Sequence, residues 1–543
     1  MKIMRGILLG SAASLVVVAG AQAADLPVKA KPVEYVRVCS LYGAGFWYVP
    51  GTDTCLKIGS YIREQVEYNA GNGGVPIGFG ATDAAAAGRM DRTDESQLSM
   101  RTRVGLTVDL RTQTEYGTLR SYFEGGFQAS ANNGSAPTND IVYFDRGFIQ
   151  FAGLTAGRIR SYFDINSLAP YSYANNRVSG DTGALGLWGI AYTAQFGNGF
   201  SATISFEDGG SSSQGTASNG QSSSRGAMVS NMGLAGEWGL GTISYDNGGW
   251  KMPDVIGALR VDQSWGYAQV SAALHDVSAG YYTALNTGNP AAPGCVAGTL
   301  CTGFGGPSDK LGWAVTGGFT LNDVLGLKGD QFGIQVAYSQ GATGYVTRAT
   351  GPFQVYGSNT SAGFGWVTDA VFDNQSSITN LGGTSLQLTT AWGITGFYQH
   401  FWNAKWRTSI WGGYNEIDYN STATQIVNSH FPGAGGVAIC PGAPVFGAVQ
   451  PPLGIPVQGA PGSSSNSCSP DFSWYEVGTR TQWNPHPDLD IGIDVALTHL
   501  NTAYAGNSVA LAANGARAAC AVCSIEDQNV VSAFFRIQRN FLP

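Results

Sequence analysis

Charge is scarce in this chain: Asp, Glu, Lys and Arg make up 12% of its 543 residues, where about 25% is usual for a soluble globular protein. Long apolar runs do not take its place. Beyond residue 23 no segment approaches the roughly 20 uninterrupted apolar residues that a membrane-spanning helix needs. Histidine is rare as well, with five residues scattered singly. Neither the His-Glu-x-x-His metal motif nor the Gly-x-Ser-x-Gly nucleophile elbow occurs. An ordinary soluble domain, a helical membrane protein and an enzyme are all disfavoured, and no cofactor or metal is implied. Acidic residues number 37 against 29 basic ones, a formal charge of −8, which argues against a nucleic-acid partner.

What is present is alternation. Between residues 98 and 111 the even positions are Leu98, Met100, Thr102, Val104, Leu106, Val108 and Leu110, and the odd positions include Ser99, Arg101, Arg103, Asp109 and Arg111. Side chains of a strand point alternately to opposite faces, so this strand has one apolar and one charged face. Similar runs fall at 57–68, 117–128, 141–151, 153–163, 187–197, 199–206, 254–262, 266–275, 311–320, 331–339, 386–400, 406–416, 473–483, 489–500 and 529–541, sixteen strands in all. Residues 227–246 leave room for a further hairpin, which would make eighteen; we prefer sixteen, with that stretch inside a long loop. Short and long connections alternate, as they do in outer-membrane barrels, where the long ones face outside. The long connections are 69–97, 129–140, 164–186, 207–253, 276–310, 340–385, 417–472 and 501–528.

Residues 1–23 read as a secretory signal peptide. Lys2 and Arg5 precede an apolar stretch, Ile7 to Val18, and Ala21-Gln22-Ala23 fits the cleavage rule. Residues 24–56 form an N-terminal segment and 57–541 the barrel. In an exported chain disulfides are the default. Placement along the chain suggests nearest-neighbour pairs: Cys39–Cys55, Cys295–Cys301, Cys440–Cys468 and Cys520–Cys523. Cys520-x-x-Cys523 has no second pair with which to build a metal site. Trp188, Trp265, Trp313, Trp392, Trp402, Trp406, Trp474 and Trp483 lie towards strand ends, as amphipathic rings do at a membrane–water boundary.

The resulting expectation is an all-β protein, a closed antiparallel transmembrane β-barrel in the Gram-negative outer membrane. Its last strand carries Ala533, Phe535, Ile537 and Phe541 on one face and Arg536, Gln538 and Asn540 on the other. Pairing this strand with the first removes the free edge that lipid cannot satisfy. Glu64 and Arg539 interrupt the apolar faces of the two terminal strands.

Residues 24–39 (ADLPVKAKPVEYVRVC), 42–63 (YGAGFWYVPGTDTCLKIGSYIR), 145–158 (DRGFIQFAGLTAGR) and 535–541 (FRIQRNF) resemble the alphaproteobacterial general porins, the group found in rhizobia and brucellae. The resemblance spans the mature chain and is weakest in the loops. It implies a homotrimeric general diffusion porin of sixteen strands, embedded among outer-membrane lipid and lipopolysaccharide. The third external loop would fold into a water-filled pore that passes small hydrophilic solutes and ions. A substrate-specific or gated channel is the alternative. The chain departs from the pattern in ending Leu542-Pro543 after Phe541, and in its long loops at 340–385 and 417–472.

The expected constriction sets acids of the third loop, Asp164 and Asp181, against basic wall residues Arg63, Arg101, Arg103 and Arg120, with Arg158 and Arg160 just before the loop. Arg177 lies in the same loop. Such opposed charge would narrow the lumen and orient passing dipoles. The competing reading is that each arginine pairs with an inward acid nearby, such as Glu67, Asp109 or Glu124. Lys57 and Arg111 are expected as rim charges.

Overall fold

The computed structural model describes residues 39–69, 98–131, 141–174, 179–181, 186–209, 229–232, 246–249, 251–285, 300–302, 305–347, 351–358, 360–373, 383–430, 468–511 and 520–542. The signal segment, Arg177, Cys295 and Cys440 lie outside them. Sixteen strands form the wall: β1 (Thr54–Tyr68), β2 (Leu98–Thr114), β3 (Gly117–Ala131), β4 (Ile141–Phe151), β5 (Leu154–Ile159), β6 (Leu187–Gly197), β7 (Phe200–Glu207), β8 (Asp254–Gln263), β9 (Gly266–Val277), β10 (Lys310–Asn322), β11 (Gln331–Gln340), β12 (Thr390–Asn403), β13 (Trp406–Asp418), β14 (Phe472–His486), β15 (Leu489–Asn501) and β16 (Gln528–Leu542). Each pairs antiparallel with its neighbours in sequence. β16 returns to β1 in the register Ile62↔Arg539, Arg63↔Gln538 and Gln65↔Arg536, so the sheet closes.

The alternation read from the sequence becomes an inversion of the soluble rule. Val142, Phe196, Leu259 and Phe127 are 64–72% exposed, while Gln65, Glu67 and Asp494 are at most 1% exposed. Only a wall whose outside meets hydrocarbon and whose inside meets polar groups has that distribution. No helix among the described residues is long and apolar enough to cross a membrane; the strands do the crossing.

Two expectations need correction. The run at 153–163 is a strand only from Leu154 to Ile159. From Arg160 the chain leaves the wall and turns inward, and Phe163 and Ile165 bury themselves there. Trp474 is not a boundary ring. It occupies an inward position on β14, is fully buried, and packs on Phe353 and Phe472. Of the stretch 227–246, residues 229–232 and 246 are described, and none of them lies in the wall. Its described strand, Val229–Asn231, pairs with Ala370–Phe372 in a separate three-stranded sheet, and the barrel closes at sixteen.

Long loops gather at one rim and build a second, apolar core. The hairpin Gly351–Ser358/Ser361–Val367 and the helix Ser421–His430 contribute Phe353, Phe364, Trp366, Ile426 and Val427. These meet Ile417, Trp474, Leu500 and Val530 from inward positions on β13 to β16. Cys39–Cys55 and Cys520–Cys523 are disulfides, and Cys468 is disulfide-bonded as well.

Candidate functional site

Among the described residues, the lumen concentrates buried charge away from both rims. Its shape is set by the third long connection: residues 160–174 and 179–181 leave the wall at Arg160, cross the interior and dock on the far wall. Asn166 anchors the crossing. Its Oδ1 accepts from Tyr267 on β9 (2.9 Å) and Thr320 on β10 (2.7 Å), and its backbone N–H donates to Gln335 on β11 at 2.9 Å. Further along, Tyr171 stacks on Phe397 of β12, ring centroids 3.7 Å apart, and its hydroxyl donates to Gln331 at 2.9 Å. Asp494 of β15, fully buried, receives Ser172 Oγ at 2.8 Å and the Tyr173 N–H at 2.6 Å. Gly492 leaves the space for Tyr173: a β-carbon there would collide with its hydroxyl.

The expected site residues are in the lumen, but the charges pair locally. Arg101 Nη2 stands 3.5 Å from Glu67. Arg103 Nη2 is 3.7 Å from Asp145, with its guanidinium 3.8 Å over the Tyr143 ring. Arg120 grips Asp109 with two bonds of 3.0 and 2.9 Å. Arg111 takes the same carboxylate from the other side at 3.1 and 2.8 Å, nearer the rim of short turns. Arg63 donates to Gln538 at 2.7 Å across the closing seam. Arg158 is buried, 5.9 Å from the Phe144 ring.

The acids of the crossing loop serve the loop itself. Asp164 sits 3.6 Å from Arg160, which also donates to the Asn166 carbonyl at 3.0 Å. Asp181 accepts from Ser167 Oγ (3.1 Å) and the Leu168 N–H (3.0 Å), tying the two limbs of the loop together. The arginines of β2 and β3 therefore meet wall acids, two of them, Glu67 and Asp109, named by the competing reading.

Three arginines stand outside the expected constriction set. Arg407, Arg480 and Arg536 are inward on β13, β14 and β16, where the alternation puts them, as the last strand already showed for Arg536. Their closeness to Arg63 was hidden because it depends on barrel closure and on the docking of residues 169–173. Towards the rim of long loops lies another buried cluster. His275 Nδ1 is 2.9 Å from both Asp254 oxygens, and its Nε2 is 3.8 Å from Asp369. Tyr345 also donates to Asp254 (2.5 Å), and the Thr343 N–H to Asp369 (2.6 Å). This cluster ties Thr343, Tyr345 and Asp369 to β8 and β9. The Phe163 and Tyr345 rings meet edge to face at 4.7 Å, so the crossing loop and this outer loop touch.

Known proteins resemble this chain in sequence and in fold. Porin Omp2b of Brucella abortus (strain 2308) is 34% identical over 274 residues, which make up 48% of this chain and 63% of that porin. Omp2b of Brucella suis biovar 1 is 35% identical with the same coverage. The chain thus spans less than two thirds of the length of the curated relatives it matches. Among solved structures, the outer membrane channel DcaP of Acinetobacter baumannii aligns over 91% of this chain and 99% of its own, with a TM-score of 0.53 at 10% identity. That is a likeness of fold alone. A family model described as the porin subfamily matches residues 25–534. A sixteen-stranded barrel, polar within and apolar without, matched to that family over nearly its whole length, belongs to the porin subfamily and to the Gram-negative outer membrane.

Proposed function

We propose that the protein is a general diffusion porin, a water-filled channel for passive passage of small hydrophilic solutes and ions, and not an enzyme. The observation that carries this is the inward polar wall crossed by a docked third loop: a lumen lined with charge and narrowed by residues 160–174 and 179–181. In this reading Arg63, Arg101, Arg103, Arg120, Arg158 and Arg160, with Asp164 and Asp181, set the field at the narrowing. The partners are the solutes, the surrounding lipid and lipopolysaccharide, and two further copies of the chain. Support for the homotrimer comes from polar groups on the outer face, where Thr102 donates to Glu64 (2.5 Å) between β2 and β1. A carboxylate facing hydrocarbon is costly, and a neighbouring protomer would remove it from lipid.

The test is reconstitution in planar bilayers. Discrete conductance steps are expected. The triple change Arg101→Ala, Arg103→Ala, Arg120→Ala should shift the reversal potential in a salt gradient towards cation preference, because positive charge is lost from a poorly screened space. Absence of any conductance by folded protein refutes the channel. Unchanged conductance and preference in the triple variant refute the assignment of those arginines.

A further inference from the structure

Beneath residues 169–173 of the crossing loop the lumen holds a cavity of about 440 Å³. Four strands bring guanidiniums to its lining, Arg63, Arg407, Arg480 and Arg536, against a single lining carboxylate, Asp490. Three of these cations, Arg63, Arg480 and Arg536, hydrogen-bond to uncharged groups. Arg480 donates to the Pro170 carbonyl and to Gln399 (3.2 Å). Arg536 donates to Gln65 (2.7 Å) and the Tyr173 carbonyl (3.2 Å), and Arg63 donates to Gln538. Every one of those acceptors is neutral. Arg407 Nη2 stands 3.8 Å from Asp490, beyond hydrogen-bond reach, and Asp490 already accepts from Gln482 and Asn484. The next acid, Asp494, is occupied by Ser172 and Tyr173 of the loop.

Donors are correspondingly in surplus. Arg480 is 3% and Tyr173 5% exposed. Among the described residues, the Nε atoms of Arg407 and Arg480 and the Tyr173 hydroxyl have no hydrogen-bond partner. The Tyr173 ring lies 4.1 Å from the Arg536 guanidinium and 5.1 Å from that of Arg480. Burial pushes the Tyr173 hydroxyl above its ordinary pKa, against the pull of these two arginines, so it stays a neutral donor. Planar guanidinium forks match the paired oxygens of carboxylates and phosphates. Four of them converge on a space that holds one small solute with its water.

We propose that this cavity is a binding site for small multivalent oxyanions, held by Arg407 and Arg480 with Arg63, Arg536 and Tyr173 completing the shell. The proposal rests on the channel reading for how the anion arrives, whereas binding itself is a property of the folded barrel.

The experiment is titration calorimetry of the full mature protein, folded in detergent, with inorganic phosphate at pH 8 against a chloride background. Saturable binding is expected. Arg407→Gln and Arg480→Gln should each weaken it about tenfold, as loss of a charge-assisted contact does. Arg260→Gln, on the lumenal face of β8 outside the cavity, should leave it unchanged. Arg407 donates to no loop carbonyl among the described residues, so its variant tests the site without loosening the loop. Heat-modifiable gel mobility checks that each variant is folded. Lack of saturable phosphate binding by the folded parent, or undiminished binding by Arg407→Gln, overturns the proposal. In bilayers, phosphate should lower the chloride current of the parent more than that of Arg407→Gln. A protein that binds phosphate but never conducts keeps the site and refutes the channel; one that conducts but does not bind does the reverse.

Discussion

Asp494 is the point at which the crossing loop is most economically released. Its carboxylate is fully buried and receives two short hydrogen bonds from the loop, at 2.6 Å from the Tyr173 N–H and 2.8 Å from Ser172 Oγ. Trp411 Nε1 adds a weaker bond at 3.3 Å. Hydrogen bonds to a charged group contribute about 1.5–3 kcal/mol each, so Asp494→Ala should cost the docked tip roughly 3–6 kcal/mol. At about 1.4 kcal/mol per factor of ten, even the lower figure shifts the docked-to-undocked ratio by roughly a hundredfold. The base of the loop is held separately, through Asn166, so the loss should be confined to residues 168–174. Both loop bonds fall on Oδ2, which the asparagine carbonyl can replace, so Asp494→Asn loses the charge but keeps the acceptor and should cost about half as much. Single-channel recording should show open-channel noise and mean conductance rising in the order parent, Asp494→Asn, Asp494→Ala, with folding checked by gel mobility. Folded Asp494→Ala with the parent's conductance and noise would refute the idea that this carboxylate holds the loop in the lumen.

Other predictions address the wall and the rims. Val104, on the outer face of β2, should not tolerate charge: Val104→Arg is expected to lower folding stability in lipid vesicles by about 2–4 kcal/mol, whereas Arg103→Gln on the inner face should not impair insertion. His275→Phe removes the link between Asp254 and Asp369 and should loosen the segments carrying Tyr345 and Asp369, read out as faster protease cleavage beside them on intact cells; cleavage no faster than in the parent would show that the link does not hold them. An epitope tag beside Ser463 should be reached by antibody on intact cells and one beside Asn484 should not; the opposite labelling would reverse the orientation of the barrel.

The wall was legible in the sequence because lipid enforces it residue by residue. Every second side chain of a strand such as 473–483 faces hydrocarbon, and the alternation of Tyr475, Val477, Thr479 and Thr481 with Glu476, Arg480 and Gln482 records that directly. The strand boundary at Ile159 was not legible, since apolar Phe163 and Ile165 continue the pattern while serving the loop core instead. Charge partners were harder still. Alternation put Arg101, Arg103 and Arg120 inside, but whether they meet Asp164 or Glu67, Asp145 and Asp109 depends on register and on where the loop crosses. Trp474 misled for a related reason: a tryptophan near a strand end marks an interface only when it faces outward. The apolar rim core of Phe353, Trp366 and Leu500 comes from loop segments without periodicity, and no local rule announces it.

The seam between β16 and β1 also governs when the molecule can exist. Arg63 and Gln538 hydrogen-bond across it although 475 residues separate them. The entropic cost of so long a closure is modest, since each doubling of loop length adds only about 0.6 kcal/mol. The delay is not modest. β1 has only one of its two neighbours until the last strand has been delivered, and for that interval it exposes a bare edge of unpaired backbone. Closure therefore waits for β16, and the fifteen residues of that strand set when the barrel can close as well as forming a piece of its wall.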